Sequence, residues 1–267
     1  MELINTQNQK VFPIFNSILN EGVKNTPSDP QNFNLLIFNT SLNKAYSELT
    51  HNINANTNNS NSLNLWATYY YLPILNHDAK GIDLLDSKGN KTNLKLSLCD
   101  WCNANIQGTV MVLKDNQKHL LNYSGRSNDL QNDCRECERY KNYDGYLKTG
   151  KVLWKKSVGF GFGVKNYKLV PFKTIAVDNS VIPFGSVIFI PEAKGVEYIL
   201  DGQVFHHDGY FFAGDTGSKI TGNHIDVFIG INKSNPFKFI KSNSSNTFKA
   251  EIITDQIKIE QLKELHK

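Results

Sequence analysis

The chain has 267 residues, enough for one large domain or two small ones and for a core that needs no staples. Its 29 basic and 25 acidic residues leave a net charge of +4, too little for the electrostatic footprint of a nucleic-acid binder but compatible with an anionic polymer. No run approaches the roughly 18 apolar residues of a membrane span, and the opening MELINTQNQK has neither the basic nor the apolar part of a signal peptide.

Residues 1–50 read as a small, partly helical extension. Phe12, Phe15, Ile18 and Leu19 suit a short amphipathic helix, and Asp29-Pro30 separates them from a second apolar run, Leu35 to Phe38. Between 51 and 62 there are six asparagines in twelve residues and no apolar period, the composition of a linker or long loop. From residue 63 to 267 the signals are those of strands. Trp66-Ala67-Thr68-Tyr69-Tyr70-Tyr71-Leu72-Pro73 is rich in strand formers and stops at a proline. Asp86 to Asn90 is a turn between short strands, and Gly108 to Leu113 is a further strand.

The cysteines form two CxxC pairs, Cys99/Cys102 and Cys134/Cys137. Four thiolates could hold a structural zinc, although the long spacer and the lack of a shaping glycine or proline count against it. Two disulfides, most simply one from each pair crossing to the other, suit an exported protein. Free thiols are the third reading, and a thioredoxin-like redox role lacks its βαβ context. Asn142 to Gly163, with Asp144-Gly145 and an FGFG element, reads as a loop or hairpin leaning over a groove.

Thr174 to Val177 is a strand that ends in Asp178 and turns through Pro183 and Gly185 into a strand from Val187 to Ile190. Lys173 precedes it and could hold a neighbouring carboxylate ionised, although odd spacing places it on the face opposite Asp178. His206-His207-Asp208-Gly209 is a better hairpin turn than a metal cage, because adjacent strand residues point oppositely; no catalytic metal is expected there or at His224. In Phe211 to Gly230 an apolar strand opens at Asp215-Thr216-Gly217, and a second strand alternates Ile225, Val227 and Ile229 against Asp226 and Phe228. Two crowded carboxylates in one strand-loop-strand unit are the raw material of acid/base chemistry. A closing strand and a short helix follow near the end of the chain.

The pairing of AVDNSVIPFGS with GDTGSKITGNHIDVFIG, over residues 171–230, resembles the three-aspartate (3D) domain, the catalytic part of membrane-bound lytic transglycosylase A and related bacterial muralytic proteins. The resemblance implies an all-β, double-psi β-barrel with inserted strands, in which Asp178, Asp215 and Asp226 gather in one groove and Asp226 is catalytic. It also implies that Tyr69 or Tyr70 lines the saccharide groove, unless these rings pack in the core. Thr216 and Lys173 complete the candidate substrate contacts. Ser218, Lys219 and Thr221 depart from the family's glycine-rich DTGGAIKG. The implied activity is cleavage of the MurNAc-GlcNAc β-1,4 bond of peptidoglycan to 1,6-anhydro ends, with no required cofactor, in the cell envelope, the periplasm or outside the cell. A muramidase-type hydrolase on the same site and a non-catalytic wall-binding barrel are the alternatives. A DTG-type aspartic protease would need a second copy of the motif.

Overall fold

A computed structural model describes residues 62–231 and 234–267. The expected N-terminal extension, and the asparagine-rich linker up to residue 61, lie outside the described residues. The described chain opens with strand β1 (Ser62–Tyr70). An insert follows, made of β2 (Ile74–Asn76), β3 (Ile82–Leu85), β4 (Lys91–Leu96), helix α1 (Leu98–Gln107), β5 (Thr109–Lys114), β6 (Gln117–Arg126), the one-turn helix α2 (Tyr146–Thr149) and β7 (Val152–Lys156). The chain then returns as β8 (Thr174–Ala176) and β9 (Val187–Phe189), makes a hairpin of β10 (Glu197–Leu200) and β11 (Gln203–His206), and finishes with β12 (Tyr210–Asp215), β13 (His224–Phe228), β14 (Phe248–Ile252) and helix α3 (Gln256–Leu265).

Six strands close a barrel in the order β1-β13-β8-β12-β9-β14. Two neighbouring pairs are parallel, β1 with β13 and β8 with β12, and the remaining pairs are antiparallel. The pattern is unchanged when β1 exchanges with β12, β13 with β8 and β14 with β9. This internal two-fold is what the double-psi barrel expected from the sequence requires. Closure removes every free edge. The interior is filled by the alternate residues Leu65, Ala67, Ile175, Val177, Phe211, Ala213, Ile225, Val227 and Ile229. A period of two therefore sends Trp66, Thr68 and Tyr70 of β1, and His224, Asp226 and Phe228 of β13, to the opposite face. Helix α3, capped by the Asp255 carboxylate on Ile257 N–H at 2.9 Å, closes one side of the barrel by packing Leu262 against Val187 and Phe212.

The insert has its own core around Trp101, Trp154, Leu84, Leu96, Val110 and Val112, under a sheet ordered β2-β5-β6-β7. The first CxxC lies in helix α1 rather than in a turn. Ser97 caps its start, accepting from Asp100 N–H, and Gly108 ends it in the left-handed region at φ 77°. Three-residue spacing puts Cys99 and Cys102 on one helical face. There they bond to Cys137 and Cys134 respectively, the crossed pairing. All four sulfurs are consumed, so the zinc reading of Cys99, Cys102, Cys134 and Cys137 gives way to two disulfides. Among the described residues no three His, Cys, Asp or Glu side chains come together as metal ligands, and no helix is long and apolar enough to cross a membrane.

Candidate active site

A groove of about 590 Å³ runs between barrel and insert. Tyr70, Ala176, Asp215 and Asp226 form its barrel wall, and Gln107, Asn122, Tyr123, Arg126, Lys148 and Lys155 belong to the insert wall. The two carboxylates stand on either side of Ala176. In the ladder, Asp226 of β13 is opposite Ala176 and so is Asp215 of β12. The small side chain between them leaves the floor open, two strand spacings or about 10 Å wide at the backbone.

Alternation places Asp226 in the groove, because its neighbours Ile225 and Val227 fill the core. Asp215 needs a further device. Counting by two from Phe211 and Ala213 would send it into the core, but the register with β8 slips between Ala213 and Asp215, so that Gly214 and Asp215 together oppose Ala176. This bulge turns the Asp215 carboxylate to the groove face.

Each carboxylate has one hydroxyl donor from β1. Thr68 donates to Asp226 Oδ1 at 2.6 Å and Tyr70 donates to Asp215 Oδ2 at 2.6 Å. The parallel register that sets Thr68 beside Asp226 fixes the first pair. Burial among apolar neighbours pushes the Asp226 carboxyl up to about 7, and the charge of Asp215 adds to this against the opposing hydrogen bond from Thr68. Burial likewise raises Asp215 to about 6, against donation from Tyr70 and from Thr216 N–H. Tyr70 is itself raised well above its ordinary value by burial and by the neighbouring Asp215.

These shifts set a pH-dependent stability. A carboxyl whose folded pKa exceeds its unfolded value binds its proton more tightly when folded, so its contribution is present below about 4 and is lost as pH rises through the folded value. Asp226→Asn is therefore expected to melt higher than the parent at about pH 8 and to match it near about pH 3.5. Thermal unfolding of the two proteins across this range checks it, and equal melting curves at high pH would contradict the buried carboxyl.

Asp178, expected beside the other two, is placed outside the groove lining. Its Oδ1 accepts from Ser180 Oγ at 2.6 Å and Ser180 N–H at 2.9 Å, and its Oδ2 accepts from Gly222 N–H at 2.7 Å. These donors, the Ser180 hydroxyl foremost, hold its carboxyl below the usual range. It ties the turn after β8 to the loop between β12 and β13. Tyr70 lines the groove, whereas Tyr69, one residue along on the other face, does not. Thr216 lines the groove rim, its hydroxyl 3.3 Å from the Val177 carbonyl oxygen. Lys173 points away from Asp215 and Asp226 and pairs with Asp208. His207 is buried, with Nε2 2.7 Å from the Phe172 carbonyl.

The FGFG element carries the insert wall onto the barrel. Asn122 mimics a strand, accepting from Phe162 N–H at 2.7 Å and donating to Phe162 O at 3.0 Å. The next residue, Gly163, runs so close to β12 that a Cβ there would lie 2.2 Å from Gly214 O and 2.9 Å from Asp215 Oδ1. Lys219 Nζ reaches Asp144 Oδ2 at 2.6 Å across the groove's edge. Gly163→Ala is expected to lower the melting temperature by several degrees, an overpacking cost of about 1–3 kcal/mol. Calorimetry checks this, and an unchanged transition would mean that the two walls separate freely.

Thr68, Ala176, Asn122 and His224 were not apparent as site residues from the chain alone. The legible trace is the shared period of two in Trp66-x-Thr68-x-Tyr70 and His224-x-Asp226-x-Phe228.

The family model of the 3D domain matches residues 173–236, the stretch that supplies β8, β9, β12, β13 and both groove carboxylates. Over residues 173–236 the chain is similar to the 3D domain. The chain is also similar to a membrane-bound lytic murein transglycosylase from Agrobacterium tumefaciens (16% identity, 95% of this chain and 94% of that one, TM-score 0.49). E. coli MltA with bound chitohexaose (15%, 71% and 71%, 0.46) and MltA from Neisseria gonorrhoeae (13%, 74% and 73%, 0.44) are further similar structures. A search of curated proteins finds no match. The insert separates β1 from the stretch that matches the 3D domain, and β1 brings Thr68 and Tyr70 to carboxylates that lie some 150 residues downstream.

Proposed function

We propose that the protein is a peptidoglycan-cleaving lytic transglycosylase in which Asp226 is the general acid/base. The observation that carries this reading is the pair of upshifted carboxyls flanking Ala176 on the floor of one groove. A carboxyl near 7 still holds a proton where its surroundings are neutral, as a general acid must. Asp226 gives that proton to the glycosidic oxygen as the C1–O bond of the muramic acid breaks. The C6 hydroxyl of the same sugar then attacks C1, and its proton passes to the Asp226 carboxylate, which closes a 1,6-anhydro ring and restores the acid. Asp215, the more acidic of the two and steadied by Tyr70, faces the oxocarbenium-like transition state as a carboxylate. Asp178 acts at one remove, by holding the loop that leads from Asp215 to Asp226. Tyr70 and Thr216 are the candidate substrate contacts on the barrel side. The disulfides suit work in an oxidising compartment, the cell envelope or outside the cell.

The test is digestion of purified peptidoglycan with mass analysis of the released muropeptides. Products lighter by one water than hydrolysis products support the transglycosylase; full-mass products make the enzyme a muramidase. Sedimentation with the wall and no release make it a binding barrel. The rate is expected to be highest between about pH 6 and 7, falling on the acid side as Asp215 protonates and on the alkaline side as Asp226 loses its proton. A pH-rate profile on soluble glycan checks this, with the acid limb lost in Asp215→Asn. A rate that keeps rising well above pH 8 would remove Asp226 from the role of acid.

A further inference from the structure

Behind Asp226 lies a chain of hydrogen bonds that the reaction as described leaves unused. Thr68 Oγ1 is 2.6 Å from Asp226 Oδ1 and also 2.9 Å from His224 Nε2. On the far side of the ring, His224 Nδ1 is 3.2 Å from the Lys219 carbonyl oxygen. The imidazole stacks on Trp66 at 3.6 Å and 8° between planes. All of this follows from the β1–β13 register, which sets Trp66 beside His224 and Thr68 beside Asp226.

A carbonyl oxygen can only accept, so Nδ1 carries the ring proton. Burial lowers the pKa of the ring and so favours its neutral form, in which Nε2 is an acceptor. Thr68 has a single hydroxyl proton and two acceptors competing for it. With Asp226 protonated, the carboxyl donates to Thr68 Oγ1 and the threonine donates to Nε2, and every group is satisfied. With Asp226 ionised, the threonine proton turns to Oδ1.

We propose that Thr68 is a one-proton rotor between Asp226 and His224, and that His224 is a positioning residue which favours the protonated form of Asp226 by accepting the rotor's hydrogen bond. Its catalytic consequence rests on the function proposed above. The Asp226 O–H swings from Thr68 Oγ1 to the leaving oxygen, and as that bond breaks and the leaving oxygen gains the proton, the Thr68 O–H leaves Nε2 and turns to the new carboxylate. When the C6 hydroxyl proton arrives at Asp226, the rotor turns back. His224 neither gains nor loses a proton. The other ionisable groups of the groove are Asp215 and Tyr70 on the barrel wall, with Tyr123, Arg126, Tyr143, Lys148 and Lys155 on the insert side.

The test is a carbon-13 NMR titration of the aspartate carboxyls in the full chain, with Asp226 assigned from Asp226→Asn. In His224→Phe, which keeps a flat ring on Trp66, the hydroxyl has only the carboxylate to serve, and the Asp226 pKa is expected to fall by about one unit. In Thr68→Val the carboxylate loses its donor, and the pKa is expected to rise by about one unit. Thr68→Ser is expected to titrate as the parent does. Shifts of the same sign in the Phe and Val variants, or no shift, would overturn the rotor, because a packing role has no reason to act in opposite directions. The parent protein supplies a check free of folding effects: nitrogen-15 spectra of the neutral His224 ring are expected to show the Nδ1–H tautomer, and an Nε2–H tautomer would equally overturn it. Neither readout uses turnover. Opposite shifts in a protein that releases no muropeptides would overturn the enzymatic reading and leave the rotor standing.

Discussion

Asp226→Asn is expected to fold as the parent does and to release muropeptides roughly 10²- to 10⁴-fold more slowly. The amide occupies the same volume beside Ala176 and can still accept from Thr68, so neither the ladder nor the groove is disturbed. What it lacks is a proton to give to the leaving oxygen and a basic oxygen to take one back. Both halves of the proposed reaction pass through this one side chain, which is why the loss exceeds that expected at Asp215. Replacing a buried carboxyl by a neutral group also removes a destabilising charge at neutral pH, so the variant is expected to lose activity while gaining thermal stability. Release rates on purified peptidoglycan, read beside melting curves, check both. An inactive variant that melts lower than its parent would point to damage rather than chemistry, and an active one would move the proton to another group.

The second large effect is expected at the disulfides. Cys99–Cys137 and Cys102–Cys134 close loops 38 and 32 residues apart in sequence and tie helix α1 to the turn beginning at Cys134. In the chain-entropy model a loop of this size is worth about 4 kcal/mol, and the second bond adds less because the loops are nested. Cys102 and Cys134 also pack in the insert core with Trp101 and Trp154. Helix α1 is in turn coupled to the groove, since Gln107 Oε1 at its end accepts from Tyr71 N–H at 2.9 Å, next to Tyr70. Reduction, or the double change Cys102→Ser/Cys134→Ser, is therefore expected to loosen the insert before the barrel and to remove one wall of the groove. Hydrogen exchange with and without reductant would show protection lost in β5 to β7 and retained in β8, β12 and β13. Unfolding indifferent to reductant, or one equivalent of zinc in the purified protein, would contradict the bonds.

Much of this molecule could be read from the chain, for reasons that are local. Strand alternation placed Asp226 opposite the core residues Ile225 and Val227, the closing strand and helix follow from residue type, and the two aspartate motifs carried the resemblance to the 3D domain. The hairpin turn, by contrast, falls at Asp201-Gly202 between β10 and β11, and Asp208-Gly209 only links β11 to β12, strands that do not pair. Helix α1 is equally local, with Ser97 and Gly108 as caps of the ordinary kind, and the spacing of its CxxC is that of one helical face as well as that of a zinc ligand pair.

What the chain alone could not decide is set by pairing between distant strands. Alternation by itself would bury Asp215; only the slip against β8 at Gly214 brings it to the groove, and a bulge exists only once a partner strand does. Asp178 belongs to the same family resemblance as the other two acids, yet the positions of the Ser180 and Gly222 donors turn it into a loop tie. Thr68 has no sequence mark of function and Tyr70 is marked only by the resemblance, because their bonds to the two carboxylates exist only through pairing with residues some 150 positions away. Residue type and period are properties of a segment, and the sequence determined them. Which acid keeps its proton depends on burial and on the nearest donor, and both come into being when β1, β8, β12 and β13 close on one another.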